Sequence, residues 1–483
     1  MTNDPVTGDY DVIVIGTGPI GQTVIARARA AGLSVAAVER ELVGGECSYW
    51  ACIPSKAMLR PAVAVADARR VDGARQAVTG SVDAPGVFAR RDRYVTDWDD
   101  DGQAGSLKEL GAELIRGHGR LAGSRRVAVE TPDGLTITLT ARQAVAICTG
   151  SGPFLPDLPG LPDARPWTNR EATDSHTVPE RLAIVGGGGV GVEMASAWSA
   201  LGAAVTLLAQ DDGLLARMEP FVGELVGHAL TEAGVEVRIG ATVTAVQRGG
   251  NGPVTLHLED GSSVEADEVL FATGRRPNTD DIGLETVGLE PGSWMEVDDT
   301  CAVDTPDGAW LYALGDVNRH ALLTHQGKYQ ARIAGAVIAD RAAGRPIDPA
   351  PWSAHSVTAD HHAVPQVFFC DPPAGAVGLT ADEAERRGHR IRVIDVDLGQ
   401  AVIGANLFAD GYTGRARMVV DEDHGYLLGV TFVGPGVEEL IHSATVAVAG
   451  RVPLDRLWHA VPCFPSISEV WLRLLEAYRD QSV

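Results

Sequence analysis

Cysteines, basic residues and long apolar runs are scarce in this sequence, and each shortage excludes a class of protein. Six cysteines in 483 residues are too few and too scattered for a structural disulfide framework. No stretch approaches the ~18 consecutive apolar residues of a membrane span. The N-terminal residues lack the basic and apolar segments of a signal peptide, so we expect none. Together these shortages predict a cytoplasmic protein that does not enter the membrane.

The charge balance excludes further partners. Forty Lys and Arg residues stand against 64 Asp and Glu residues, which gives a formal net charge of −24. Such acidity disfavours a nucleic acid or an anionic membrane surface as a partner. The apolar fraction of 45% and the charged fraction of 22% are ordinary for a globular protein. At about 150 residues per domain, the chain length predicts two to four domains.

A glycine-rich turn near the N-terminus stands between a predicted strand and a predicted helix. Residues 10–15 form a short apolar run typical of a buried strand, and residues 22–31 suit a helix of small side chains. The turn between them has the pattern Gly16-x-Gly18-x-x-Gly21. After a second strand the chain reaches Glu39, 18 residues beyond the last of these glycines. This order predicts a dinucleotide site, in which the turn faces a pyrophosphate and the carboxylate accepts hydrogen bonds from ribose hydroxyls.

The same arrangement returns at residues 182–210, where a strand, a glycine turn, a helix and a further strand are predicted. The glycines of this second turn are Gly186, Gly188 and Gly191. Two such turns in one chain predict two dinucleotides, one a flavin and the other a nicotinamide. The last strand ends at Ala209, where no carboxylate repels a 2′-phosphate, and this favours NADPH. Asp211 and Asp212 follow directly, and Arg217 is the nearest cation.

Three shorter motifs lie at the ends of predicted strands. They are Thr149-Gly150, Gly274-Arg275 and Gly315-Asp316. The first two mark crossings between domains, and the first precedes a Pro-rich linker. From residue 351 the nucleotide motifs stop, and short strands precede a helix predicted over residues 468–478, as in an α+β domain.

The predicted fold is of the α/β class, with two Rossmann-like dinucleotide-binding domains and a C-terminal α+β domain. The first domain, which contains a cysteine pair, spans residues 1–157, and the second spans residues 158–280. Residues 281–350 return to the first domain, and residues 351–483 form the C-terminal domain.

The cysteine pair follows shortly after the first nucleotide motif. Cys47 and Cys52 are separated by four residues, and Pro54 suits an early position in a helix. Cys52 is therefore predicted at a helix N-terminus, where the helix dipole and the nearby Lys56 favour the thiolate. A thiolate beside an oxidised flavin can donate electrons to it. Half of a zinc site is the competing interpretation, but no second pair of Cys or His ligands stands out, so no metal site is predicted.

Together these motifs resemble the flavoprotein pyridine nucleotide–disulfide oxidoreductases, the group of glutathione reductase, dihydrolipoamide dehydrogenase and mercuric reductase, over essentially the whole chain. The resemblance implies FAD on the first dinucleotide-binding domain, NAD(P)H on the second, and a homodimer formed by the C-terminal domain. It implies that Cys52 faces the flavin while Cys47 exchanges with substrate. Lys56 and Glu193 are implied to pair beside the flavin. The residues implied to bind the two cofactors are Gly16, Gly18, Gly21, Glu39, Thr149, Gly150, Gly186, Gly188, Gly191, Gly274, Arg275, Gly315 and Asp316.

The C-terminal motif departs from that family. Its disulfide reductases carry His-Pro-Thr-x-x-Glu, whose His is the acid–base for the interchange thiol of the partner subunit. In this sequence Phe464 stands at the His position, while Glu469 is retained as a catalytic candidate. Phe carries no proton, and general acid–base help is worth roughly 10²- to 10⁴-fold, so ordinary disulfide reduction is predicted to be slow. His459 and Cys463 are the alternative acid–base residues. Taken singly, His459 is more typical of a surface or packing residue, and Cys463 of a small apolar filler.

Two further departures concern the surroundings of the flavin and of the cysteines. Gly189 stands where the family often has an aromatic gate, so a more open nicotinamide pocket is expected. Tyr49 and Trp50 lie between the two cysteines and are expected to make that region bulkier and more apolar. Glutathione and lipoamide are therefore disfavoured as substrates.

Three functions remain open from the sequence. The first is an FAD enzyme that passes hydride from NAD(P)H through the flavin to a Cys47–Cys52 disulfide and on to a small-molecule acceptor, which is a disulfide, a metal ion or a small electrophile. The second is a diaphorase-like reductase of quinone or oxygen, with the cysteines as spectators. The third is a flavin-linked redox sensor. An enzyme is favoured, because a second nucleotide-binding domain would be superfluous in a simple sensor.

Overall fold

The computed structural model of the chain describes residues 7–250 and 252–480. Residues 1–6, on which the expectation of no signal peptide partly rests, lie outside the described residues. The chain forms two compact units, each built from separate stretches. The first unit contains the described residues up to Pro54 together with Asp92–Pro153 and Arg275–His361. The second contains Ser55–Arg91, Phe154–Gly274 and the described residues from His362 onwards.

The strands are numbered along the chain. The first are β1 Thr7–Ile15, β2 Val35–Glu39, β3 Glu113–Arg116, β4 His118–Leu121, β5 Arg126–Glu130, β6 Thr136–Ile147 and β7 Ser151–Pro153. The next are β8 Arg181–Val185, β9 Ala204–Ala209, β10 Glu236–Ile239, β11 Val243–Arg248, β12 Val254–Leu258, β13 Ser263–Ala266, β14 Glu268–Phe271, β15 Arg275–Pro277 and β16 Leu311–Ala313. The last are β17 Pro365–Phe368, β18 Ala374–Gly378, β19 Ile391–Asp397, β20 Arg415–Asp421 and β21 Tyr426–Val433.

The α-helices are numbered in the same way. Those before residue 250 are α1 Pro19–Ala30, α2 Gly45–Tyr49, α3 Cys52–Arg69, α4 Ala84–Tyr94, α5 Asp101–Glu109, α6 Leu161–Ala164, α7 Asn169–Asp174, α8 Gly189–Ala200 and α9 Pro220–Glu232. The later ones are α10 Thr324–Ala342, α11 Ala359–His362, α12 Ala381–Arg386, α13 Leu398–Ala401, α14 Ile403–Phe408, α15 Ile441–Ala449, α16 Leu454–Leu457 and α17 Val470–Asp480.

The first unit is organised around a mixed sheet in the order β3-β2-β1-β6-β5-β4, with β16 also paired to β6. The pairs among β3, β2, β1, β6 and β16 are parallel, whereas β4 and β5 join in antiparallel pairs. Val12, Ile13 and Val14 on β1 are fully buried and alternate between two apolar clusters, one of which includes side chains of α1 and α10. Burial on both faces explains why this strand is an uninterrupted apolar run in the sequence.

Among its described residues the second unit has three sheets. The parallel sheet runs β10-β9-β8-β14, and the sheet β11-β12-β13 is antiparallel. The C-terminal part is an antiparallel sheet in the order β17-β18-β21-β20-β19, with α15 and α17 packed against it. The succession β8, α8, β9 repeats the strand–turn–helix–strand order of β1, α1, β2.

The predicted α/β class, with two βαβ units and a C-terminal α+β part, is confirmed. The C-terminal helix predicted over residues 468–478 begins at Val470, because residues 467–469 form a separate 3-10 turn. Within the part of the chain that the structure describes, no helix is both long enough and apolar enough to cross a membrane.

Candidate active site

The two cysteines of the predicted redox pair lie on consecutive helices, and a third side chain contacts both of them. Cys47 lies within α2, and Cys52 is the first residue of α3. The hydroxyl of Thr324, the first residue of α10, donates to Cys47 Sγ at 3.1 Å and lies 3.4 Å from Cys52 Sγ. A hydroxyl that donates to a sulfur favours its charged form. Thr324 is absent from the sequence predictions because it is 272 residues from Cys52, and no local pattern signals the contact.

The second unit brings Lys56 of α3 and Glu193 of α8 together. Lys56 Nζ lies 2.7 Å from Glu193 Oε2, and the other carboxylate oxygen accepts the Phe369 N–H at 2.9 Å. Lys56 Nζ also lies 5.2 Å from the centroid of the Phe369 ring, within the range of a cation–π contact. The Glu193 side chain is only 9% exposed. A carboxylate buried to this degree needs partners on both oxygens, and these contacts supply them.

The first glycine turn has the geometry of an anion cradle. A Cβ at Gly21 would lie 2.0 Å from the Gly16 carbonyl oxygen, so the chain passes itself too closely there for any side chain. Over Gly18, in contrast, a Cβ would meet nothing within 4 Å. Gly18 is also the N-cap of α1 and provides no side-chain cap, which leaves the first N–H groups of the helix for a ligand.

Glu39 holds the start of this turn in place. Its Oε2 accepts both the backbone N–H and the hydroxyl of Thr17 at 2.8 Å, and its Oε1 accepts the N–H of Glu41 at 2.9 Å. A carboxylate offers about four lone-pair positions, so these three bonds leave room for a ribose hydroxyl.

The Thr149-Gly150 motif is held by Asn278, three residues beyond Arg275, within the first unit. The Asn278 side-chain amide donates to the Thr149 carbonyl at 2.9 Å, and its backbone N–H donates to the Gly150 carbonyl at 3.0 Å. The hydroxyl of Thr149 is buried and makes no hydrogen bond with any described residue. This hydroxyl lies beside the glycine turn, because Gly16 packs on the carbonyl of the neighbouring Cys148. A bound dinucleotide would supply the hydrogen-bond partner that the buried hydroxyl lacks among the described residues. The residues present therefore fit FAD.

Ser151 joins Arg275 to Asp316. Its hydroxyl donates to Asp316 Oδ2 at 2.5 Å and accepts from Arg275 Nε at 2.6 Å, while Arg275 Nε lies 3.7 Å from the same Asp316 oxygen. Arg275 lies on β15, which pairs with β7, and Gly274 directly precedes it. Ser151 was not among the predicted site residues, because a lone serine after a Thr-Gly turn carries no specific pattern.

The second glycine turn repeats the first. A Cβ at Gly191 would lie 1.8 Å from the Gly186 carbonyl oxygen, whereas at Gly188 it would meet nothing within 4 Å. Gly188 is the N-cap of α8 and again provides no side-chain cap. At the end of β9, Ala209 is buried, and Arg217 further along is exposed. The turn therefore also fits the pyrophosphate of a dinucleotide.

The space beside Gly189 is filled by an aromatic ring. A Cβ at Gly189 would approach the Phe368 ring to 2.3 Å. Phe368 is the last residue of β17 and is half-buried. Phe368, from a distant part of the sequence, thus contacts Gly189 directly, and the more open nicotinamide pocket stays a prediction.

Tyr49, between the two cysteines, lies in the interior of the first unit. It is 1% exposed, and its hydroxyl donates to the Val43 carbonyl at 3.2 Å and accepts from Gln103 Nε2 at 2.9 Å. Burial raises the pKa of its phenol. Trp50 is half-buried, and a bulkier, more apolar region around the cysteines stays a prediction.

The C-terminal motif contains one exposed aromatic residue and one buried carboxylate. Phe464 is 75% exposed, whereas Glu469 is 4% exposed, and both line one pocket of the second unit. Glu469 Oε1 is paired with Arg473 Nη2. Glu469 Oε2 is buried and makes no hydrogen bond with any described residue. His459 and Cys463 are both exposed.

Three of the other cysteines lie in positions that disfavour reaction. Cys148, Cys301 and Cys370 are buried, and burial raises the pKa of each thiol. Within residues 7–250 and 252–480, no group of three or more His, Cys, Asp or Glu side chains is arranged to hold a metal ion.

Two glycine turns that fit a dinucleotide and a cysteine pair in one chain are typical of oxidoreductases that combine a flavin with a nicotinamide. The sequence model described as pyridine nucleotide-disulphide oxidoreductase matches residues 10–341, and that of the dimerisation domain of the same family matches residues 364–474. The chain belongs to the pyridine nucleotide-disulphide oxidoreductase family, which is FAD-dependent and uses NAD(P)H. It is accordingly a flavin-dependent enzyme, and its dimerisation domain suggests a homodimer.

Similar proteins cover nearly the whole chain. A dihydrolipoyl dehydrogenase of Thermus scotoductus is 33% identical over 482 residues, which are 98% of each chain. A mercuric reductase of Staphylococcus aureus is 29% identical over 476 residues, 96% of this chain and 81% of its own. The solved Cu(II) complex of the flavoprotein disulfide reductase RclA from Escherichia coli has a TM-score of 0.82 at 24% identity, covering 97% of this chain and 99% of that one. This last likeness concerns the fold.

Proposed function

We propose that the enzyme takes electrons from NAD(P)H, passes them to a Cys47–Cys52 disulfide and delivers them to a small acceptor other than glutathione disulfide or lipoamide. Bound FAD supplies the two-electron relay between the nicotinamide and the disulfide. The observation that carries the proposal is the Thr324 hydroxyl, which contacts both sulfurs. A hydrogen-bond donor shared by both sulfurs stabilises the negative charge that a redox-active pair acquires on reduction. Cysteines that take no part in the reaction acquire no such charge and do not require the donor.

The chain's own residues account for the proton in this step. Reduction of the disulfide breaks the S–S bond with two electrons and one proton, and it leaves one thiol and one thiolate. A hydrogen bond from Thr324 to the thiolate lowers the pKa of that thiol. Cys52 also begins an 18-residue helix, whose N-terminal dipole favours the thiolate. Reoxidation by the acceptor removes the two electrons, closes the S–S bond and releases the proton.

Lys56 and Glu193 are proposed as the charged pair of the site, as the family resemblance implies. Glu193 is held on one oxygen by Lys56 and on the other by the Phe369 N–H. This double anchoring keeps the ammonium group of Lys56 in a fixed position. The two glycine turns and the Ser151–Arg275–Asp316 cluster are proposed to bind the cofactors.

The C-terminal motif argues for an acceptor that needs no proton relay. Phe464 cannot donate a proton to a leaving thiolate, and Glu469 has no imidazole to orient among the described residues. Thiol–disulfide interchange at Cys47 then lacks the acid that the leaving group requires. A soft metal ion or a quinone does not require it, and the mercuric reductase among the relatives supports a metal ion.

NADPH is proposed as the preferred nicotinamide. Ala209 places no carboxylate at the end of β9 where it would oppose a 2′-phosphate, and Arg217 is exposed further along. A ratio of kcat/KM for NADPH over NADH of one or less would contradict this preference. The cytoplasmic location remains a prediction from the sequence.

The decisive experiment compares the native holoenzyme with Cys47→Ser. The native enzyme should gain two titratable thiols on anaerobic reduction with NADPH, and Cys47→Ser should gain none. Reduction of a soft metal ion such as Hg(II) should fall at least a hundredfold in Cys47→Ser, while reduction of a quinone directly by the flavin persists. If Cys47→Ser keeps the native rate with every acceptor, the cysteines are spectators and the diaphorase-like function replaces the proposal.

A further inference from the structure

The first unit contains a buried carboxylate that the proposed function does not use. Asp360 lies on α11, and its side chain is 0% exposed. Burial of a carboxylate is costly unless hydrogen bonds and a countercharge compensate it, so an Asp in this position requires a defined set of partners.

Those partners are two glutamines of α10 and one histidine. Gln326 Nε2 donates to Asp360 Oδ1 at 2.6 Å, and Gln330 Nε2 donates to Oδ2 at 2.6 Å. His320 Nδ1 lies 3.2 Å from Oδ2. The histidine ring is 5.5 Å from that of His361, whose Nε2 is 2.9 Å from Asp299 Oδ1.

The network anchors the beginning of α10. Gln326 is two residues after Thr324, in the first turn of the helix, and Gln330 is one turn further on. Leu323 at the N-cap provides no side-chain cap, so the usual means of fixing a helix start is absent here. The Asp360 carboxylate fixes the helix start instead, because it accepts hydrogen bonds from Gln326 in the first turn and from Gln330 in the second.

The same network reaches the turn that carries Asp316. Gln330 Oε1 accepts the Gly315 N–H at 2.8 Å and the Asn318 side-chain amide at 3.0 Å. One carboxylate therefore fixes the helix start and the Gly315 turn relative to each other. In a buried network of this kind, loss of one member leaves several polar groups without partners.

We infer that Asp360 is a positioning residue, which holds the Thr324 hydroxyl against the sulfurs of Cys47 and Cys52 through Gln326 and the first turn of α10. This inference rests on the proposed function, and it identifies the residue that positions the hydrogen-bond donor for the thiolate of the cysteine pair. The hydroxyl-to-sulfur distances are 3.1 and 3.4 Å, and hydrogen bonds weaken steeply with misalignment. A small displacement of the helix start is therefore enough to remove the contact.

The test measures cysteine reactivity in the reduced holoenzyme. Asp360→Ala and Thr324→Val are reduced with dithiothreitol, and alkylation of Cys47 and Cys52 by iodoacetamide is followed from pH 5 to 10 by peptide mass spectrometry. Thr324→Val should lower the alkylation rate at pH 7 about tenfold, because the thiolate loses a charge-assisted hydrogen bond and its apparent pKa rises by about one unit. Asp360→Ala should lower it about three- to tenfold, in the same direction.

The double variant decides whether the effect passes through the hydroxyl. Asp360→Ala combined with Thr324→Val should match Thr324→Val alone, because no hydroxyl remains to be positioned. Asp340→Ala is the matched control: Asp340 lies near the other end of α10 and pairs with His355 at 2.9 Å. It should leave the pH profile unchanged.

Two results would overturn the inference. One is a folded, flavin-loaded Asp360→Ala with the native pH profile, and the other is an Asp360→Ala effect that persists in full in the Thr324→Val background. If Asp360→Ala does not fold, Gln326→Leu replaces it, with the same expected shift and the same refuting outcomes. Because dithiothreitol reduces the pair directly, these results are independent of the NADPH-dependent thiol count that tests the proposed function.

Discussion

Phe464→His should raise the rate of disulfide reduction by this enzyme. Glu469 presents a buried Oε2 that makes no hydrogen bond with any described residue, while its Oε1 is occupied by Arg473. Phe464 lines the same pocket, so an imidazole there has a carboxylate available to orient it. General acid–base help is worth roughly 10²- to 10⁴-fold, and kcat for glutathione disulfide or lipoamide should rise within that range.

The substitution should cost little stability. Phe464 is 75% exposed, so about a quarter of a full burial term of 1.5–3 kcal/mol is lost, roughly 0.5 kcal/mol. A hydrogen bond from the imidazole to the charged Glu469 oxygen offsets this with about 1.5–3 kcal/mol. The carboxylate raises the imidazole pKa above its usual value of about 6.5. The added stability is then fully present below about pH 6.5 and is lost as the pH rises through the raised pKa.

The assay compares steady-state reduction of both disulfides by the native enzyme, Phe464→His and Phe464→Leu, with thermal unfolding at pH 6 and pH 9. The leucine variant removes the ring without adding a proton donor and should stay as slow as the native enzyme. An equal rise in Phe464→Leu would refute the acid–base argument. Native turnover of glutathione disulfide or lipoamide on the order of 10 per second or more would refute its premise.

Three further outcomes follow from the described contacts. Gly189→Ala should lower the free energy of unfolding by about 1–2 kcal/mol, because the new Cβ meets the Phe368 ring. Phe368→Ala in the same chain should remove most of that loss. Additive effects of the two substitutions in denaturant titrations would contradict this explanation. Lys56→Met should lower the free energy of unfolding by about 1–3 kcal/mol, because it leaves the buried Glu193 charge without its cationic partner. Adding Glu193→Leu should recover part of that loss. A Lys56→Met variant with native thermal stability would argue against a stabilising pair. Burial raises the pKa of Cys370, so its thiol should stay protonated and resist alkylation from pH 7 to 9, while the exposed Cys463 reacts. Comparable labelling of the two cysteines would show that Cys370 is not buried in solution.

The parts of the fold that the sequence predicted are those that local spacing encodes. The glycine turn of β1 and α1 follows from Gly16 and Gly21, because a close backbone contact at a fixed offset allows no side chain there. Cys52 begins α3 as Pro54 indicated, since proline is compatible with the first turn of a helix. Both inferences depend on residues within a few positions of each other.

The parts that the sequence did not reveal are contacts between distant segments. Thr324 meets Cys52 across 272 residues, and Phe368 fills the space beside Gly189 although 179 positions separate them (368 − 189 = 179). Such contacts depend on how whole elements pack, and neither hydrophobic periodicity nor turn chemistry records them. Tyr49 is a third case, because its neighbours in the sequence gave no sign that its ring turns inward.

Thr324 has only one hydroxyl proton to share between two sulfurs. This hydroxyl can therefore donate fully to one sulfur at a time, and a second negative charge on the neighbouring sulfur would be repelled by the first. Cys47 and Cys52 then behave as a single diprotic acid, whose first ionisation is made easier by the hydroxyl and whose second is made harder by the charge of the first thiolate. Rotation of one O–H bond moves this hydrogen bond from one sulfur to the other, so the bond can follow the charge without any movement of the backbone.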